Sequence, residues 1–127
     1  MTENLKELIK DYIDFPKKGI LFKDVLPLLQ HPKIFSNLVE EMSSSNILKN
    51  ADAILSIDAR GFIFGTAISS YLSKPMVVAR KPGKLPGVLI EKSYDLEYGK
   101  NSLAIQKDSI RRYKYLAIVD DLLATGG

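Results

Sequence analysis

Tyr115-Leu-Ala-Ile-Val-Asp-Asp-Leu-Leu-Ala-Thr-Gly-Gly127 is the stretch whose reading decides the fold. Leu116 to Val119 is an apolar run, long enough for a buried strand and too short for a helix. Two adjacent carboxylates, Asp120 and Asp121, follow at once, and then a small-residue loop, Ala124-Thr125-Gly126-Gly127. An acidic pair at the carboxyl end of a buried strand, followed by a glycine turn, is the arrangement through which an open α/β sheet binds its ligand.

Working upstream, two more segments share this form. Ala53-Ile-Leu-Ser-Ile57 predicts a core strand and runs straight into Asp58-Ala-Arg-Gly61. Phe62 to Leu72 predicts a helix whose small residues Gly65, Ala67 and Ser69 suit close packing on a sheet. Pro75-Met-Val-Val-Ala79 predicts a second strand, entered through a proline at its first position, as strands allow. Strand, turn, helix and strand in this order make a βαβ unit, which implies a parallel sheet. Arg80-Lys-Pro-Gly-Lys-Leu-Pro-Gly87 follows, with two prolines, two glycines and three cations, and predicts an exposed irregular loop. Tyr94, Leu96 and Tyr98 alternate with Asp95 and Glu97, Gly99-Lys-Asn101 turns the chain, and Leu103 and Ile105 alternate on the return: a hairpin.

The N-terminal third is less regular. Leu5, Leu8, Ile9 and Tyr12 recur at helical spacing and predict a short amphipathic helix. Pro16 and Gly19 break up Asp14-Phe-Pro-Lys-Lys-Gly-Ile-Leu-Phe-Lys-Asp24, which by composition reads as a connector. Pro32 suits the first position of a second helix, where its missing N–H costs nothing. Ile34, Phe35, Leu38, Val39 and Met42 give that helix its apolar stripe, and Ser43-Ser-Ser-Asn46 ends it. The lone His31 reads as a turn or cap residue. The expected fold is a single α/β domain over residues 1–127, an open parallel sheet flanked by helices. About three parallel strands under-build such a sheet, so about a quarter to a third of the domain is expected to be missing at the C-terminus. A protein truly ending at Gly127 is expected to be inactive and poorly stable.

The totals narrow the functional classes. With 127 residues of which 46% are hydrophobic, the chain can build a real core. No run approaches the about 18–20 apolar residues of a membrane span, and the N-terminus lacks a signal peptide's apolar centre. The absence of cysteine excludes disulfides and thiolate metal sites and fits a cytoplasmic protein. A net charge of +3 decides little between an anionic small ligand and nucleic acid. Arg111-Arg112-Tyr-Lys114 interleaves cations with an aromatic, but the run is short and precedes a core strand. No nucleic-acid or membrane partner is expected.

In a parallel sheet the three strand ends lie on one edge. Asp58-Ala-Arg-Gly61, Arg80-Lys81 with Lys84, and Asp120-Asp121 with Thr125-Gly126-Gly127 therefore surround one crevice. Each alone is an ordinary helix cap, solvated loop or turn; together they suit a multiply phosphorylated sugar. Glycine-loop N–H groups hold a phosphate, and arginine and lysine offset further phosphate charge. Carboxylates suit sugar hydroxyls, a divalent cation or a developing positive charge. Neither the P-loop pattern nor the dinucleotide fingerprint occurs.

Val119-Asp-Asp-Leu-Leu-Ala-Thr-Gly-Gly127 resembles the phosphoribosyl-pyrophosphate-binding signature of the type I phosphoribosyltransferases. Asp14 to Asp24, Ile57 to Gly65, Arg80 to Gly87 and Leu96-Glu-Tyr-Gly99 resemble the motifs of that family's adenine-using branch, in order and spacing. The resemblance covers essentially the whole chain and revises the connector reading of Asp14 to Asp24. It implies the family's fold with a small hood or lid hairpin, and transfer of phosphoribose to adenine, giving AMP and pyrophosphate. An alternative is a non-catalytic regulator on the same fold.

Carried over by position, the resemblance implies that Asp120 and Asp121 hold the ribose hydroxyls and face the oxocarbenium-like transition state. Ala124, Thr125, Gly126 and Gly127 would cradle the 5′-phosphate. Asp58, Ala59, Arg60 and Gly61 would form the pyrophosphate loop, with a non-proline cis peptide before Arg60. Arg80, Lys81 and Lys84 would neutralise the departing pyrophosphate. Phe22 would stack on adenine, with backbone groups of Leu21 and Lys23 reading its edge. Glu97 would serve the purine proton, and Tyr98 would close a lid. Mg²⁺ held mainly by the substrate, and a homodimer, are implied as well. Val88-Leu-Ile-Glu-Lys92 is more apolar than the loop the resemblance implies there.

Overall fold

The computed structural model describes residues 2–96, 99–124 and 126. The chain divides into two compact units, Met1–Glu41 and Met42–Gly127.

The first unit contains helix α1 (Thr2–Leu8), an antiparallel hairpin of β1 (Lys10–Ile13) and β2 (Leu21–Asp24), a 3-10 turn at Leu26–Gln30, and helix α2 (Pro32–Ser43), whose last turn crosses into the second unit. The helix expected to reach Tyr12 stops at Leu8 because Tyr12 is taken into the ladder, opposite Phe22. The expected connector is also corrected. Its end is strand β2, and Pro16 and Gly19 occupy only the loop between the strands. There the Asp14 carboxylate accepts the Gly19 N–H at 2.7 Å, and Phe15 N–H donates to the Ile20 carbonyl. Phe15 meets Phe22 edge to face at 5.0 Å, and Lys23 pairs with Asp11 at 2.7 Å. Pro32 opens α2 as expected, with the His31 carbonyl accepting the Phe35 N–H.

The second unit is built on a three-stranded parallel sheet of β3 (Ala53–Ile57), β4 (Met76–Ala79) and β7 (Leu116–Val119), in the order β4-β3-β7. The continuous apolar run of β3 is explained by its central place, buried on both faces. Helix α4 (Gly61–Leu72) covers the face carrying Ile54 and Ser56, with Phe64, Gly65 and Ile68 buried. The opposite face carries Ala53, Leu55, Val77 and Ala79. It is covered by Leu103 and Ile105 of β6 (Gly99–Gln106) and by Ile110 of the short helix α5 (Lys107–Ile110).

β5 (Leu89–Leu96) pairs antiparallel with β6, Leu96 opposite Gly99, so Gly99-Lys-Asn101, expected to turn the chain, belong to β6 instead. The apolar Val88 to Lys92 run also finds its reason: Leu89 to Lys92 pair with Gln106 to Leu103 as strand. Helix α3 (Asn46–Asn50), hidden in what reads as a helix end, is capped by Ser45, whose hydroxyl accepts the Leu48 N–H. Its C-terminal carbonyls are gathered by Lys74, whose ammonium donates to Leu48, Lys49 and Ala51. At the base of the sheet the Asp52 carboxylate accepts the Lys114 and Tyr115 N–H groups, both at 3.0 Å, which sets the register of β7 on β3.

Candidate functional site

Because β4, β3 and β7 are parallel neighbours, Arg80, Asp58 and Asp120 leave the sheet at one edge. Two ion pairs tie the three loops together. Arg80 Nε lies 3.2 Å from Asp58 Oδ2, linking the loops after β4 and β3. Arg60 Nε lies 2.9 Å from Asp121 Oδ2, linking the loops after β3 and β7. The juxtaposition expected of Asp58, Arg60, Arg80, Asp120 and Asp121 is therefore present in the folded chain.

Arg80 is fixed from three directions. Its backbone exchanges two hydrogen bonds with buried Ala104 of β6, N–H to carbonyl each way, at 2.9 and 2.8 Å. Its guanidinium carbon lies 5.8 Å from the ring centroid of Phe62, a cation–π distance. Asp58 holds its Nε and also accepts the Lys81 N–H at 3.3 Å. Burial pushes the Asp58 carboxyl up, but the Lys81 N–H, the Arg80 guanidinium and the Lys84 charge outweigh it and hold the group below its ordinary 3.8.

The non-proline cis peptide lies between Asp58 and Ala59, one bond earlier than the expected place before Arg60. By Arg60 the chain has already taken the right-handed helical conformation, and the Ala59 and Arg60 carbonyls accept the Phe62 and Ile63 N–H groups that open α4.

Gly61 brings α4 against the end of β7. A Cβ there would stand 2.9 Å from Asp120 Oδ1, 3.0 Å from the Val119 carbonyl oxygen and 3.2 Å from Asp120 Cα. No larger residue fits without moving backbone. Asp120 Oδ1 accepts the Asp121 N–H at 2.8 Å. Desolvation pushes the Asp120 carboxyl up to about 6, and the neighbouring Asp121 carboxyl adds to the rise; the Asp121 N–H and Arg60 act against it. The acidic pair is thus divided: Asp121 is neutralised by Arg60 with its side chain 7% exposed, and Asp120 titrates at the open edge.

Lys84 is exposed in the loop after β4, and Ala124 and Gly126 are exposed beyond Asp121, Gly126 with φ of +81°. Thr125 and Gly127 lie outside the described residues, as do Glu97 and Tyr98. Leu21, Phe22 and Lys23 belong to β2 of the first unit, Leu21 exposed and Phe22 partly buried. Phe62 and Ala104 were not anticipated as supports of Arg80. The alternation of Leu103 and Ile105 turns Ala104 to the other face, and its burial and pairing with Arg80 depend on the path of the hairpin across β4. Arg111, a candidate for nucleic-acid contact, pairs with Asp108 at 2.9 Å.

Among the described residues no three His, Cys, Asp or Glu side chains converge as a metal cage, and no helix is long and apolar enough to cross a membrane.

The phosphoribosyl transferase domain family matches residues 25–127, a span that runs from the first unit through the second. An adenine phosphoribosyltransferase of Prochlorococcus marinus strain MIT 9211 is 66% identical over 127 residues, all of this chain and 74% of the relative. The crystal structure of adenine phosphoribosyltransferase from Thermoanaerobacter pseudethanolicus superposes with a TM-score of 0.89 at 43% identity, over 100% of this chain and 74% of that one. That of the Saccharomyces cerevisiae enzyme, complexed with an imino-altritol bisphosphate and adenine, gives 0.87 at 36% identity, over 98% and 73%. With strand-end geometry, family match and relatives in agreement, the chain belongs to the adenine phosphoribosyltransferases of the phosphoribosyl transferase domain family.

Proposed function

We propose that this chain transfers the phosphoribosyl group of phosphoribosyl pyrophosphate to adenine, a step of purine salvage. A bond forms between an adenine ring nitrogen and the anomeric carbon as the bond to pyrophosphate breaks; AMP and pyrophosphate are the products, and the proton on the attacking nitrogen is given up. The observation that carries this reading is the charge order along the sheet edge. Arg80 with Lys81 and Lys84 lies at one end, the Asp120-Asp121 pair at the other, and Arg60 between them.

That order suits the reaction. Negative charge grows on the departing pyrophosphate, where Arg60, Arg80, Lys81 and Lys84 offset it. Positive charge grows at the sugar, which we place beside Asp120 and Asp121, the carboxylates holding the ribose hydroxyls. Fixed charges aimed at developing charge stabilise the transition state with little reorganisation. Ala59 and Gly61 complete the pyrophosphate loop, and Ala124 to Gly127 receive the 5′-phosphate on backbone N–H groups. Base recognition falls to Leu21, Phe22 and Lys23, proton handling to Glu97 and lid closure to Tyr98.

Asp120 and Asp121 offer the hard oxygen donors that magnesium prefers, although Asp121 is already engaged by Arg60. A bound magnesium ion, taking most of its ligands from the diphosphate, would supply further charge neutralisation there. We read the protein as a cytoplasmic homodimer with both units serving one phosphoribosyltransferase domain; the lack of cysteine supports the compartment, and the family resemblance the dimer.

The test is AMP formation from adenine and phosphoribosyl pyrophosphate with magnesium. Glu97→Ala should lower turnover far more than donor affinity. Donor binding without adenine consumption by the wild-type chain would replace the transferase with a non-catalytic binder.

A further inference from the structure

We propose that Asp58 is a positioning residue: it holds Arg80 and the Lys81 N–H at the rim of the crevice and does not itself touch the diphosphate-bearing ligand. This deepens the reading of that crevice as the pyrophosphate site and rests on it. Family position alone would make Asp58 a member of the pyrophosphate loop, in contact with ligand. The geometry assigns it differently.

The Asp58 carboxylate already has its partners. One oxygen, Oδ2, accepts both Arg80 Nε at 3.2 Å and the Lys81 N–H at 3.3 Å, and the side chain is 4% exposed. The group is anionic at neutral pH, because those donors and Lys84 hold its pKa down against its burial. An anion in contact with a diphosphate would oppose binding. An anion turned into the protein can instead aim the cations.

Arg80 shows what is aimed. Its backbone is pinned to Ala104, and its guanidinium lies over Phe62. Neither contact fixes the orientation of the guanidinium plane. Pairing at Nε, the nitrogen nearest the chain, fixes that plane and leaves the forked outer edge for another partner; the Arg80 side chain, at the sheet edge, is 33% exposed. The same carboxylate orients the Lys81 peptide, and so the start of the cationic loop that carries Lys84.

The test turns on a sign. If Asp58 acts on the ligand only through its charge, removing that charge tightens anion binding. If it positions Arg80 and Lys81, removing the acceptor weakens binding. Titration calorimetry with inorganic pyrophosphate separates the two, using the full chain, Asp58→Ala and Asp58→Asn. The asparagine variant loses the charge but keeps a carbonyl oxygen able to accept both hydrogen bonds. We expect Asp58→Ala to bind about tenfold more weakly and Asp58→Asn to stay within about threefold of wild type. In ¹⁵N spectra the Arg80 Nε–H resonance should be protected from exchange in wild type and Asp58→Asn, and lose protection in Asp58→Ala.

Equal or tighter binding by Asp58→Ala overturns the inference and leaves the crevice reading standing. Tenfold tighter binding by Asp58→Asn overturns it too, even if the alanine variant does not fold. Failure of the wild-type chain to bind pyrophosphate overturns both.

Discussion

Asp58 and Asp120 stand at the ends of paired strands, each beside an arginine, and they behave oppositely. The Asp58 carboxyl is held below its ordinary value, whereas Asp120 is raised to about 6. Residue type and strand position are the same, so the difference comes from surroundings: desolvation is the largest cause of the Asp120 rise, and the neighbours do the rest. Asp58 holds Arg80 and the Lys81 N–H, with no carboxylate among the causes of its shift. Asp120 adjoins Asp121, and the nearest arginine, Arg60, is committed to Asp121. One sheet edge thus carries an acid that stays charged well below neutral pH and organises cations, and a second acid whose charge changes near pH 6. Chemically, the first suits the leaving-group side of a phosphoribosyl transfer and the second the sugar side.

The largest expected effect comes from disturbing Asp120 through the contact that seats it. Gly61→Ala places a methyl group 2.9 Å from Asp120 Oδ1 and against the Val119 and Asp120 backbone. Alanine is the better helix former by about 1 kcal/mol, so intrinsic propensity favours the substitution and any loss reports the close approach. Misplacement of about 1 Å in a reacting constellation costs about 100-fold in rate, and a loss of that order is expected in kcat/KM for phosphoribosyl pyrophosphate. A kcat/KM within threefold of wild type would show that α4 can retreat without disturbing Asp120. Asp58 touches none of these atoms, so its pairing with Arg80 should persist in the variant.

The second effect is pH dependence, with opposite signs for the two acids. The unfolded Asp120 carboxyl releases its proton near 3.8 and the folded one near 6. Between those values the folded state binds more protons, so this group's contribution to stability falls as pH rises through the window. Asp58 is the reverse. Its stabilisation is complete above 3.8 and is lost as pH falls through its lower folded value. Urea midpoints across pH should show Asp120→Asn removing the decline between about pH 4 and 6, and Asp58→Asn removing the acid-side loss below about pH 4. In activity, kcat/KM should drop below about pH 6 as Asp120 takes up its proton. Arg60→Gln should move that limb upward, because Arg60 opposes the rise. An unmoved limb would assign it to another group.

Which acid would take which role was not readable from residue order. Ala53–Ile57 and Leu116–Val119 announce themselves as buried strands because an apolar run of that length has few other uses. Parallel pairing then brings their polar loops to one edge. The pairing of Arg80 with Asp58 and Arg60 with Asp121 depends on β3 lying between β4 and β7, and an order of neighbours leaves no mark on local composition. The β1–β2 hairpin escaped for a different reason. Ile9 and Tyr12 continue a helical spacing, while the ladder that captures Tyr12 is closed by Phe22 from ten residues further on. The cis bond lies one residue earlier than the resemblance implies, and nothing in the composition of Asp58-Ala-Arg60 marks which of its peptides is cis.

The smallest expected effect sharpens the comparison by leaving both acids untouched. Ser56 lies two residues before Asp58 in β3, and its partner in β7 is Val119, directly before Asp120. Its hydroxyl is fully buried and has no hydrogen-bond partner among the described residues. It faces Gly65 of α4, where an added Cβ would overlap the Ser56 side chain. A buried hydroxyl without a partner costs about 1–3 kcal/mol, and the small void left by its removal returns part of that. Ser56→Ala should therefore stabilise the chain by about 1 kcal/mol in urea unfolding, with kcat/KM unchanged within twofold. The stability–pH slopes assigned to Asp58 and Asp120 should keep their shape, displaced upward as a whole. If the slopes change, the packing beneath the strand ends contributes to the titrations, and the contrast between the two acids is not set at the strand ends alone.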